Sequence, residues 1–141
     1  MPHRSSTEDR AFLAQFESCT FPVSDFDHRA HLRLAYIYLT EHDTETAHRL
    51  MREAIEDFLE HNGVDPAKYH DTVTHAWILA VRHFMKATSG SESADSFIDQ
   101  NPELLASKIM MTHYSAEVLF SDEARAQFVE PDLGPIPRHS E

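Results

Sequence analysis

Apolar positions recur at three- and four-residue spacing along most of the chain, and nowhere does convincing strand-like alternation appear. The segment SSTEDRAFLAQFES places Phe12, Leu13 and Phe16 on a narrow stripe, with Ser5 and Glu8 spaced as a capping box. Pro22 ends it. In DFDHRAHLRLAYIYLTEH, residues Leu32, Leu34, Ala35, Ile37, Tyr38 and Leu39 make a second helix apolar over much of its surface, capped by Asp25 or Asp27. A third helix, capped by Asp43 or Thr44, carries Ala47, Leu50, Met51, Ala54, Ile55, Phe58 and Leu59 and stops at Gly63. A fourth runs from about Pro66 to Ala87 and is apolar nearly all round through Trp77, Ile78, Leu79, Val81, Phe84 and Met85.

Beyond the polar loop TSGSES, the stretches ADSFIDQ, PELLASKIMMTHY and SDEARAQFV read as shorter helices, with Pro102 starting one and Ser121 capping another. The tail after Pro131 holds Pro135 and Pro137 and reads as extended. The pattern therefore predicts an all-α fold. A four-helix core in up-down-up-down order precedes short C-terminal helices and a proline-rich tail, in one domain over 1–141 with about 1–5 and 134–141 flexible.

Composition narrows the function classes. A formal net charge of −12 opposes binding of nucleic acid or an anionic membrane through a basic face. The longest apolar run, Ala76 to Val81, is too short to span a bilayer. The start MPHRSSTEDR has no apolar leader, and the single cysteine, Cys19, forms no intrachain disulfide, so a cytoplasmic location is expected. The glycines do not form a phosphate loop or dinucleotide fingerprint. Histidine is the abundant functional residue, 11 of 141. His42, His48 and His61 stand among acidic residues and read as water-facing, and His3 and His139 lie near the termini.

The remaining histidines gather once the topology is applied. In an up-down-up-down core, the ends of helices one and three share a pole with the starts of helices two and four. Helix one brings Glu17 there, helix two His28 and His31, helix three Glu60 and His61, and helix four Tyr69, His70, Asp71 and Thr74. His28 and His31 are three apart and share a face. Two or three imidazoles and a carboxylate are a common shell for Zn, Fe, Mn or Ni. The expected metal set is His28, His31 and His70 with Glu17 or Asp71, and the function it points to is a metal-dependent hydrolase or an oxygenase-type enzyme. Two positive helix ends oppose a cation, so the same pole also suits an anion.

Other readings stand beside this one. His-x-x-His pairs often cap helices, and His70 could bond Glu17 or a backbone carbonyl. His75 pairs with Asp71 at i, i+4; His83 falls at the opposite end; His113 joins only if the C-terminal helices fold over the pole. A metal-free binding module would hold a small anionic or aromatic ligand in a pocket of Tyr69, Thr74, Trp77, His70 and Arg125. Arg125 reads either as a surface ion pair with Asp122 or Glu130, or as a clamp on a ligand carboxylate or on Asp132. A structural protein would use the histidines only to satisfy helix ends.

The blocks FE at Phe16–Glu17, DHRAHL at Asp27–Leu32, YHDTVT at Tyr69–Thr74, and HYSAEVLFSDEAR with VEPDL between His113 and Leu133 resemble an uncharacterised bacterial all-helical family. That family carries spaced HxxHL, YHET-like and YS…AR…PDL blocks, and the similarity runs from about Phe12 to Pro137. The resemblance implies that Glu17, His28, His31, His70, Thr74, Ser115 and Arg125 occupy motif positions, and it implies no reaction. This chain has Asp71 where the motif has Glu and His113 where it has Tyr.

Overall fold

The computed structural model describes residues 3–65, 68–106 and 113–134, and among these it is helical with no strand. The helices are α1 (Thr7–Glu17), α2 (His28–Glu41), α3 (Thr44–His61), α4 (Asp71–Ala87), α5 (Ala94–Gln100), α6 (Ala116–Leu119) and α7 (Asp122–Ala126). Short 3₁₀ turns cover Val23–Asp25 and Pro102–Leu105. Of the expected helix through PELLASKIMMTHY, residues 107–112 lie outside the described residues, Pro102–Leu105 form that second turn and His113 and Tyr114 are not helical; the tail from Pro135 also lies outside the described residues.

Helices α2, α3 and α4 pack against one another, α1 lies on α2 and α3, and α7 lies on α4. The apolar stripes supply the core, in which Leu34, Ala35, Met51, Phe58, Ile78 and Val81 are buried. Phe16 and Phe58 stack with centroids 4.5 Å apart, and Phe26 meets Phe16 at 5.0 Å. These rings join α1, α3 and the turn ahead of α2. Removing Phe58 would cost about 3–5 kcal/mol through lost transfer energy and a cavity.

The helix starts follow the capping rules. Asp27 accepts from the amide of Ala30, Asp43 from that of Thr46, and Ser121 from that of Ala124. Gly63 takes a left-handed φ of 69° after α3, as the stop signal predicts.

Two expectations on helix starts are corrected. The capping box of α1 is Ser6 with Asp9, one residue beyond Ser5 and Glu8. Asp9 prevails because tertiary partners reward its burial. One oxygen accepts from Arg33 Nε at 2.9 Å, and the other accepts from the amide of Ala94 at 2.8 Å as well as from that of Ser6. Helix α4 starts at Asp71, not near Pro66, because His70 is extended and caps it.

Among the first residues described, His3 donates from Nε2 to the carbonyl of Met85 at 2.6 Å, and its Nδ1 lies 2.8 Å from Ser91 Oγ. The buried Tyr36 hydroxyl donates to the carbonyl of Arg4 at 2.7 Å. The segment ahead of α1 is thereby tied to α2 and to the loop after α4. Among the described residues, no helix is long and apolar enough to cross a membrane.

Candidate functional site

His70 stands at the junction of α4 with the C-terminal helices. Its Nδ1 accepts the amide of Val73 at 3.2 Å, the N-cap bond of α4. Its Nε2 lies 2.6 Å from the carbonyl oxygen of Leu119, which can only accept, so Nε2 carries the proton. Both nitrogens are engaged and the ring is the neutral Nε2–H tautomer. Its pKa is lowered, chiefly by burial, with the charge of Arg125 adding to this.

Asp71, one residue on, is buried and collects donors. Its Oδ1 accepts from the Tyr69 hydroxyl at 2.6 Å and from His48 Nε2 at 2.9 Å, with Arg52 at 3.4 Å. Burial pushes this carboxyl up, but the bonds from Tyr69 and His48 outweigh burial and hold it below the usual range. Burial and the same Asp71 contact push the Tyr69 hydroxyl far up, so Tyr69 stays a neutral donor.

These contacts overturn the view of His48 as water-facing. Its ring stacks on His75 at 4.3 Å, and His75 in turn meets Phe128 at 4.3 Å. Partners brought by α4 and the C-terminal segment, not the neighbours of His48 in sequence, set its environment, which is why local composition misjudged it. The register of α4 on α3 differs as well. The first turn of α4 meets His48 and Arg52, well before the last turn of α3. Glu60 then lines a recess with Glu56, Leu59 and Tyr69.

The other predicted residues separate into two places. His28 donates from Nε2 to the carbonyl of Leu104 at 2.9 Å, and its ring sits edge-on to the buried Trp77 at 4.6 Å. Glu17 accepts from the Tyr38 hydroxyl at 2.7 Å, where burial and that contact push the phenol pKa far up. Trp77 is thus a core residue under His28. His31, His70, Tyr69 and Thr74, in contrast, line one cavity of about 260 Å³. Phe26, Ile55, Leu59 and Val73 supply its apolar wall and Lys68 stands in its lining, residues that carried no chemical signal in sequence. Burial, with the nearby His28 adding to it, lowers the pKa of His31 to about 4, so its ring is neutral at pH 7.

Each of the five residues expected as metal ligands thus has a place. Glu17 is with Tyr38, His28 with Leu104, Asp71 with Tyr69 and His48, His70 with Val73 and Leu119, and His31 in the cavity. Among the described residues, no group of three or more His, Cys, Asp or Glu side chains is arranged to hold a metal ion. Arg125, on α7, lies near enough to His70 for its charge to act on that ring. His113 bonds the carbonyl of Gly134 through Nδ1 at 3.0 Å, and Ser115 and Asp132 join through the Ser115 amide at 2.8 Å. No family model, curated protein or solved structure matches this chain.

Proposed function

We propose that the protein is a cytoplasmic small-molecule binding module that works without a metal and holds a ring-sized ligand in the cavity of His31, Tyr69, His70 and Thr74. The observation that carries this reading is a neutral imidazole, His31, set in a largely apolar cavity of about 260 Å³. Apolar cavities on the order of 150 Å³ accept benzene, so this recess, which is partly open to solvent, has room for a substituted ring. Apolar walls with a few polar groups are the usual make-up of a ligand site. The reading takes α1 to α4 as an up-down-up-down core, supported by short connections and by the packing of α1 on α2, α2 on α3 and α3 on α4. The single free cysteine, Cys19, agrees with a reducing compartment.

Titration of amide-labelled protein with benzene, phenol and benzoate tests the proposal by NMR. At millimolar concentration at least one probe is expected to shift amides of the lining residues. Ile55→Phe, which fills the cavity, should abolish the response. A spectrum indifferent to all three probes would overturn the reading.

A metal-dependent hydrolase or oxygenase-type enzyme is the second reading. It is favoured by His31 and His70 sharing one cavity as neutral rings, the ligating form. Zn, Fe, Mn or Ni held by Glu17, His28, His31, His70 and Asp71 would require four of them to exchange their present partners. Stoichiometric metal in untagged protein purified without chelators, lost in the His28→Ala/His70→Ala double variant, would establish it. Protein that takes up no metal on titration would dismiss it.

A further inference from the structure

The polar groups around the cavity are unequal in what they offer a ligand. The Tyr69 hydroxyl is donated to Asp71, and Thr74 bonds Tyr69 in turn. Both nitrogens of His70 are engaged. Lys68 is exposed and so belongs to the rim. His31 differs from these. Its ring contact is with Phe26, at 6.2 Å, and among the described residues its nitrogens have no hydrogen-bond partner. A neutral imidazole offers one acceptor and one N–H donor.

That pair of groups discriminates between ligand chemistries. An ammonium group can only donate, and it would lose its hydration against Phe26 and Leu59. A carboxylate can only accept, so it would use the N–H and leave the acceptor nitrogen unused, and the cation of the lining, Lys68, stands out at the rim. A hydroxyl donates and accepts, carries no charge, and can bond either nitrogen. A phenol also brings an aromatic body for the apolar wall and a more acidic O–H than an aliphatic alcohol, hence a stronger bond to a nitrogen acceptor.

We propose that His31 makes this a site for small phenols, the ligand hydroxyl bonding the imidazole and the ring lying against Phe26 and Leu59. This inference rests on the cavity being a ligand site, and the test keeps the two apart. Phenol and benzene are titrated at pH 7.5 into the wild type, His31→Leu and His31→Gln. A net hydrogen bond of about 1 kcal/mol corresponds to roughly a fivefold change in affinity. The phenol-to-benzene affinity ratio should therefore fall about fivefold in His31→Leu and persist in His31→Gln, which keeps a donor and an acceptor. Wild-type protein gives an independent readout that requires no variant to fold. The ¹⁵N resonances of the His31 ring should move on adding phenol and stay in place on adding benzene. Equal ratios in wild type and His31→Leu, or ring resonances that ignore phenol while both probes bind, would overturn the phenol assignment and leave the cavity reading standing. If neither probe binds, the phenol assignment falls, and the cavity reading falls with it when benzoate also fails to bind.

Discussion

The imidazole of His70 joins the start of α4 to the carbonyl oxygen of Leu119 at 2.6 Å, while its other nitrogen caps the helix through the amide of Val73. One neutral ring thus fastens α6 to α4. Protonation removes the acceptor that Val73 needs, and it places a positive charge at the positive end of α4, near Arg125.

The fastening has a pH dependence with a definite sign. Burial lowers the folded-state pKa of His70, so the unfolded chain takes up its proton first. The stability it contributes is present above the unfolded value of about 6.5 and is lost as pH falls below it. Amide exchange of Leu119 and Phe120, corrected for the intrinsic rate, should show less protection at pH 5.5 than at pH 7.5. His70→Asn keeps a cap acceptor but not the reach to Leu119. It should cost about 1 kcal/mol at neutral pH and flatten the difference between the two pH values. Equal protection at both pH values in the wild type would contradict this account.

His31 titrates further from its usual value. With a folded-state pKa lowered to about 4, it draws stability from the protein across the window from about 6.5 down to 4. The full loss is on the order of 3 kcal/mol, reached near the bottom of that window. Two-dimensional NMR of the imidazole carbons should place its midpoint near pH 4. Denaturant midpoints of His31→Leu should fall less steeply with acidification than those of the wild type.

Asp71 acts at lower pH and through different partners. Its carboxylate contribution is present above the unfolded value of about 4 and is lost as pH falls through the lower folded-state value, so it is separable from both histidines. Tyr69→Phe removes a 2.6 Å donor and should cost about 1–2 kcal/mol at pH 7. Asp71→Ala strands the buried Tyr69 hydroxyl together with the His48 and Arg52 donors and should cost about 3 kcal/mol. Chemical denaturation of the two variants ranks the effects. A larger loss in Tyr69→Phe than in Asp71→Ala would show that the carboxylate is not the hub.

Local chemistry made much of the fold legible in the sequence. The caps at Asp27, Asp43 and Ser121 and the left-handed stop at Gly63 depend on a few neighbouring residues, and the spacing of Leu34, Met51, Phe58 and Ile78 fixes which faces are buried. The candidate site was legible only in part. His31, His70, Tyr69 and Thr74 do share one cavity, but Trp77 lies in the core beneath His28. His48 and Arg52 gave no signal because their role depends on where α4 packs on α3. Asp9 was hidden likewise. Nothing near it in sequence announces Arg33 or the amide of Ala94.

Asp9 also yields the sharpest test of tertiary coupling. It is only 1% exposed and ties α1 to α2 through Arg33 and to the start of α5 through Ala94. The Arg33 guanidinium lies 4.7 Å from the centre of the Phe12 ring, so it is held on both sides. Asp9→Ala leaves the Ser6 and Ala94 amides and the Arg33 head without their acceptor and should cost about 3–4 kcal/mol. Arg33→Met keeps the packing on Phe12 but leaves the buried carboxylate without its cation, and should cost less because two amides still bond it. A double-mutant cycle between these variants should give a coupling of about 1–3 kcal/mol, read from urea denaturation at pH 7. Additive losses would mean that the two backbone amides, and not Arg33, hold Asp9 in place.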